Sequence, residues 1–103
     1  MGDLGISNRT RVVVYDDRGG LLAARLWWML HAYGHQHVAL LDGGWVQWTA
    51  ERRPTTTAAA PVRAATFIAT LQPRWLATVD DVVAGIGKPG TRILDARTAA
   101  EMD

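Results

Sequence analysis

The stretch "VVVYDDRGGLLAARLWW", residues 12–28, constrains the fold more than any other part of the chain. Val12 to Tyr15 is β-branched and aromatic without polar alternation, which predicts a strand covered on both faces, as in a parallel sheet. Arg18, Gly19 and Gly20 then turn the chain. From Leu21 to Tyr33 apolar side chains fill nearly every helical position except Arg25 and His31, predicting a helix with little solvated surface that Gly34 closes as a left-handed C-cap. A strand followed at once by a buried helix needs a parallel neighbour. "HVALLDGG" supplies one, with Val38 to Leu41 as the strand and Asp42, Gly43 and Gly44 as its exit turn. A second helix, Trp45 to about Arg52, carries Trp45 and Trp48 on one face and stops at Pro54. The order is that of an α/β fold, a parallel sheet with helices on both faces.

The composition then shifts. "PTTTAAAPVRAATFIATLQPRW", Pro54 to Trp75, holds three prolines, many Thr and Ala, and no sustained period. An unstructured connection of this length is more typical of a linker than of a loop inside a domain. Trp75, at its end, is suited to anchoring the segment to a domain surface. Order resumes at Thr78, which forms a capping box with Asp81 ahead of a short amphipathic helix bearing Val82, Val83 and Ile86. Ile93 and Leu94 read as a strand ending at Asp95. One helix and one strand do not close a core, so the expected division is residues 1–53, the later half of one domain; 54–77, a linker; and 78–103, the opening of a second.

The chain is 49% hydrophobic and 20% charged, the composition of a globular protein. Its net charge of +1 gives no basis for expecting a nucleic-acid or anionic-membrane partner. There is no cysteine, which removes disulfides, thiolate metal sites and thiol chemistry together. No window reaches the roughly 18 apolar residues of a membrane span, and "MGDLGISNRT" has no signal-peptide core, so a cytoplasmic location is expected. Gly2 is no myristoylation signal, because Ile6 stands where that motif takes Ser or Thr.

Four groups of residues bear on chemistry. Asp16 and Asp17 stand where a parallel sheet usually presents its ligand, just past a strand and ahead of a helix N-terminus. Their charge satisfies the helix dipole internally and repels an oxyanion, so they read as a cap; "DDRGGLL" matches neither nucleotide-binding glycine pattern. His31, His35 and His37 are close enough to raise a metal site, but Gly34 interrupts the helix between the first two and no carboxylate completes the set, which favours structural roles. The tryptophans on helix faces, Trp27, Trp28, Trp45 and Trp48, read as core. In "LDAR", Asp95 and Arg97 form either a structural ion pair or a fork for an anionic ligand. No cofactor and no metal is expected.

Taken in order, "VVVYDD", "AARLWWML", "YGH", "VALLDGGWVQW", "RRP" and "DARTAAE" resemble the tandem rhodanese-like sulfurtransferases, the thiosulfate and 3-mercaptopyruvate sulfurtransferases. The resemblance covers nearly the whole chain and rests on several elements at the family's spacing. It implies two copies of one α/β domain in series, the first without the catalytic cysteine. The family places that cysteine just after the strand, in a loop whose backbone N–H groups hold a persulfide; the corresponding place here is about Asp16. The resemblance further implies thiosulfate or 3-mercaptopyruvate as substrates; Arg97, from the "LDAR" fork, is the candidate substrate-binding residue. Glu101 stands near a place where some relatives carry a substrate-binding arginine. The chain is expected to be a truncated fragment with an incomplete rhodanese-like sheet, inactive alone because an aspartate cannot form a persulfide. Two alternatives accompany that reading. One is a non-catalytic binding module that pairs with a protein partner, self-associates or adds a strand to a full-length paralogue; the other is a metal-binding regulator using the three histidines.

Overall fold

A computed structural model describes residues 1–102. The first half of the chain builds the expected unit: strand β1 (Val12–Val14), helix α1 (Leu21–Ala32), strand β2 (Val38–Leu40) and helix α2 (Gly44–Ala50). The strands pair in parallel, with Val12 opposite Val38, Val13 opposite Ala39 and Val14 opposite Leu40. The Val12 N–H donates to the His37 carbonyl at 2.8 Å and the Leu41 N–H to the Val14 carbonyl at 2.9 Å, which extends the ladder at both ends. Parallel neighbours need a crossover, and α1 is that crossover. The side-chain alternation of β1 then sorts the helices. Val14 is buried on the face that takes α1, while Val13 and Tyr15 point to the other face, where Tyr15 stacks on Trp45 of α2 at 6.2 Å.

The core is small. Val14, Ala23, Leu30 and Ala32 are its buried apolar residues, and His35 lies beside them. The expectation that α1 has little solvated surface is corrected: Leu21 is 71% and Leu22 54% exposed. The reason is geometric. A helix is about 10–12 Å across with its side chains, whereas two strands spaced about 5 Å apart cover only one stripe of it. Nor are the tryptophans core residues in the full sense, since Trp28 and Trp45 are both more than a third exposed. On the α2 side, Val13, Tyr15, Leu41, Trp45, Trp48 and Pro54 line an open apolar groove of about 520 Å³.

Between Pro54 and Gln72 the chain has no regular secondary structure, yet its second part is docked. Residues 63–75 form a strap across the N-terminal segment and the C-terminal end of α1. The Ala65 N–H donates to the Gly2 carbonyl at 2.9 Å, Thr70 N–H to Tyr33 at 3.0 Å and Gln72 N–H to Ala32 at 2.6 Å. The Asn8 side chain exchanges two bonds with the Ile68 backbone, both 2.8 Å. Gly34, at φ 88°, permits the approach, because a Cβ there would stand 3.1 Å from the Thr70 carbonyl oxygen. Trp75 closes the strap: it meets Trp27 edge-on at 5.6 Å and stacks on His31 at 4.6 Å, while its carbonyl accepts the Trp28 indole N–H at 2.8 Å.

Beyond the strap stands helix α3 (Val79–Gly85), begun by the expected capping box: the Asp81 N–H donates to Thr78 Oγ1 and the Thr78 N–H to Asp81 Oδ2. It has no extensive contact with another element, and Val79, Val83 and Ile86 are exposed. The expected strand at Ile93 and Leu94 is not formed. A strand needs a ladder partner, the two strands among the described residues pair with each other, and Leu94 is 88% exposed. The radius of gyration of 17.5 Å reflects this extended second half, a compact chain of this length measuring about 13 Å.

Because α3 is held by its cap and not by packing, Thr78→Ala is expected to cost it about 1 kcal/mol, enough to melt much of a two-turn helix. Amide exchange measured residue by residue should show lost protection confined to residues 79–86, with α1 unchanged; a loss that spreads to α1 would show that α3 packs on the body.

Candidate anion cradle at the end of β1

The β1–α1 loop closes on its own aspartate. Asp16 Oδ1 accepts the backbone N–H groups of Arg18 at 2.9 Å and Gly20 at 2.8 Å, and Oδ2 accepts those of Leu22 and Ala23, both at 2.8 Å. Leu22 and Ala23 lie in the first turn of α1, where N–H groups have no helical partner. The loop thus points its free donors at one spot, and the first residue after the strand fills that spot with a carboxylate. These bonds hold the Asp16 pKa at about 2, below its usual 3.8, with the Ala23 N–H the largest cause, followed by those of Arg18 and Gly20. Gly20, formally the residue preceding the helix, caps nothing with a side chain; Asp16 does so from four positions upstream. Asp17 is exposed and takes no part.

A second element clamps the loop from the β2 side. The Trp45 N–H donates to the Asp16 carbonyl at 2.9 Å, and a Cβ on Gly44 would fall 2.6 Å from that same oxygen. Gly44 has φ 58°, so the position demands glycine for both backbone conformation and space. Between the two loops lies a crevice of about 240 Å³ that includes Tyr15, Asp16, Ala23, Leu40 and Asp42 in its lining. This is the usual ligand position of a parallel sheet, beyond the carboxyl ends of adjacent strands. Here an oxyanion would meet Asp16 where it needs donors.

The other candidate residues lie apart from this crevice. Arg97 Nε donates to Asp95 Oδ1 at 2.9 Å and Nη2 to Asp95 Oδ2 at 2.6 Å, an exposed fork that lowers the Asp95 pKa and raises that of Arg97. Glu101 accepts the Thr98 N–H at 2.7 Å, which lowers its pKa and caps the terminal helical turn, Ala99–Met102. The histidines have separate environments. His31 stands between Trp27 and Trp75, His35 is buried against Phe67, and His37 is exposed with its ring 6.1 Å from that of His35. Among the described residues no three His, Asp or Glu side chains are grouped to hold a metal ion, and no helix is long and apolar enough to cross a membrane. The Gly44 clamp is a site residue that spacing does not reveal; its signal in the sequence is the Gly43–Gly44 doublet, which also reads as an ordinary exit turn.

Fold and crevice together define an α/β unit with a strand–loop–helix anion cradle, here filled by its own carboxylate. Residues 2–51 match the family described as the rhodanese-like domain. Over those residues the chain is rhodanese-like. It is 39% identical over 100 residues to the 3-mercaptopyruvate sulfurtransferase of Rattus norvegicus, an alignment covering 95% of this chain and 34% of that protein. With the thiosulfate sulfurtransferase of Bos taurus it shares 39% over 99 residues, 94% of this chain and 33% of that protein. The thiosulfate sulfurtransferase of Gallus gallus is 38% identical over 101 residues, 96% and 35%. The chain spans about a third of the length of these relatives.

Two measurements test the cradle. The folded-state pKa of Asp16 is depressed, so its contribution to stability is complete above about pH 4 and is lost as pH falls through about 2. Asp16→Asn keeps the shape but turns a donor toward two N–H groups, so the variant should be destabilised at pH 6 and its stability should vary less between pH 4 and 2 than the wild type's in urea titrations. Gly44→Ala should cost about 1–3 kcal/mol through positive φ and the clash with the Asp16 carbonyl, read as a lower urea midpoint at unchanged slope.

Proposed function

We propose that this chain belongs to the machinery of a thiosulfate/3-mercaptopyruvate sulfurtransferase and is itself catalytically silent. Residues 1–53 act as a non-catalytic rhodanese-like repeat, 54–77 connect it to a second repeat, and residues 78–103 open that repeat. The family's reaction moves sulfane sulfur from a donor onto a cysteine thiolate, leaving a persulfide, and then to a thiophilic acceptor such as cyanide, which restores the thiolate. The observation that carries the reading is the Asp16 carboxylate seated on four backbone N–H groups in a chain without cysteine. A carboxylate held so far into its ionised form is an acceptor of hydrogen bonds and has no sulfur to extend. The relatives named for thiosulfate and for 3-mercaptopyruvate supply the two donor classes. Arg97, exposed and held in place by Asp95, is our candidate for contact with an anionic donor.

The second reading is a rhodanese-like module that pairs with a protein partner. The two-stranded sheet favours it: each strand has one unpaired edge, and the groove of Tyr15, Trp45 and Trp48 leaves apolar surface uncovered on one face. Open edges of this kind take an added strand, from another copy or from a longer relative.

Incubated with cyanide and either thiosulfate or 3-mercaptopyruvate, the purified chain should form thiocyanate no faster than a heat-killed control; turnover above that control would overturn the silent assignment. Sedimentation over a concentration series separates the two readings. A species heavier than the monomer, or co-purification with a full-length relative, supports the pairing module, and a monomer that captures neither counts against it.

A further inference from the structure

Two apolar surfaces of this chain are left without cover. The first is the open groove on the α2 side of the sheet, about 520 Å³, walled by Val13, Tyr15 and Leu41 from the strands and their ends and by Trp45 and Trp48 from α2. The second is one side of α3. Val79, Val82, Val83 and Ile86 recur at helical spacing, all four are exposed, and α3 makes no extensive contact with another element. One surface is a concave aromatic floor, and the other is a convex aliphatic ridge about 10 Å long.

The tether decides whose helix can enter the groove. Trp75 is pinned to the α1 layer by Trp27 and His31 and by the Trp28 indole N–H on its carbonyl. Helix α3 begins four residues later, so its first residue lies within about 14 Å of Trp75. The groove is on the opposite face of the sheet, and a helix seated there stands about 20 Å from the α1 layer, at about 10 Å for each layer spacing. While the strap is docked, α3 is therefore out of reach of its own groove, and only the α3 of another copy can fill it. Charge agrees with that seating. At the groove rim Glu51 is engaged by Arg53, whose guanidinium lies 5.5 Å from the Trp48 ring, and the exposed Arg52 has no ion pair among the described residues. Asp80, which flanks the α3 stripe, is likewise exposed and unpaired among them.

We propose that two copies of this chain exchange their α3 helices, each seating the Val79–Ile86 stripe in the aromatic groove of the other. The inference rests on the pairing reading above and gives it a partner, a second copy, and a contact; strand addition at the sheet edges would leave both apolar surfaces bare. Exchange is reciprocal because every copy carries one helix and one groove, which makes the contact two-fold and closed. Reciprocity also matters for size. One seven-residue helix covers too little for an interface that needs about 1,000 Å², and two such contacts double the area buried.

The test uses the full chain. Sedimentation should show a monomer–dimer equilibrium whose dissociation constant rises at least tenfold in Val83→Lys. Lysine suits a helix interior, so that variant removes the ridge and keeps α3, which lies outside the folded body. Leu4→Lys, at a side chain that is 65% exposed on the strapped N-terminal segment, should leave the constant unchanged. Because the chain has no cysteine, a single Lys88→Cys just past α3 takes a spin label at one known place. Mixed with isotope-labelled chain that carries no label, it should broaden the Trp45 and Trp48 indole resonances more than those of Trp27 and Trp28. A dimer that survives Val83→Lys, or groove indoles left sharp in the mixture, overturns the exchange of α3 while leaving edge pairing in place. A chain that stays monomeric up to millimolar concentration overturns the exchange and self-pairing together.

Discussion

The arrangement of the first half depends on one interaction, the Asp16 carboxylate accepting four backbone N–H groups. A loop that curls donors inward around a point is electrostatically unfavourable unless something negative occupies that point. In this chain the occupant is covalently part of the loop, so the curl, the start of α1 and the exit angle of β1 are fixed together. The clamp from Gly44 and Trp45 depends on the same geometry, because it is the Asp16 carbonyl, turned away from the cradle, that accepts the Trp45 N–H. An internal carboxylate therefore supplies, from within the chain, the negative charge that the inward-turned donors require.

The remainder of the chain is held by weaker means. Two strands and a half-bare helix bury few apolar side chains, and the docked strap supplies much of the added cover, placing Phe67 on His35 and Trp75 on Trp27 and His31. The body and the strap thus support one another across residues that are distant in sequence. Helix α3 has no such support and rests on its capping box. Its apolar stripe of Val79, Val82, Val83 and Ile86 is a helix face still without a floor.

Local signals were the readable ones. The unalternating valines, Gly34, the Asp42–Gly44 turn and the Thr78–Asp81 box each encode a conformation within a few residues, and each element they predict is present. Asp16 and Asp17 both read as a helix cap, but only Asp16 caps, and spacing alone does not show that it reaches four donors. Non-local matters were hidden. Ile93 and Leu94 have strand propensity, yet a strand is a property of two segments, and among the described residues none pairs with them. The Asn8–Ile68 exchange, sixty residues apart, leaves no periodic trace, and the burial of His35 follows from Phe67 arriving from outside its own unit. Trp75 was legible as an anchor because a single large aromatic in an Ala- and Thr-rich stretch has few other uses.

The strap also sets an order of events during synthesis. Chains emerge from their N-terminus at roughly 5–20 residues per second, so the β-α-β unit is available for several seconds before Phe67, Thr70 and Trp75 exist to cover it. In that interval the His35 side of α1 and both sheet edges are open together. A nascent chain in this state is most vulnerable to mispairing with its neighbours on the same message, and the strap's arrival ends part of that exposure. The alanines and threonines that precede it, poor in apolar bulk and rich in conformational freedom, let Phe67 search for its seat without competing for it.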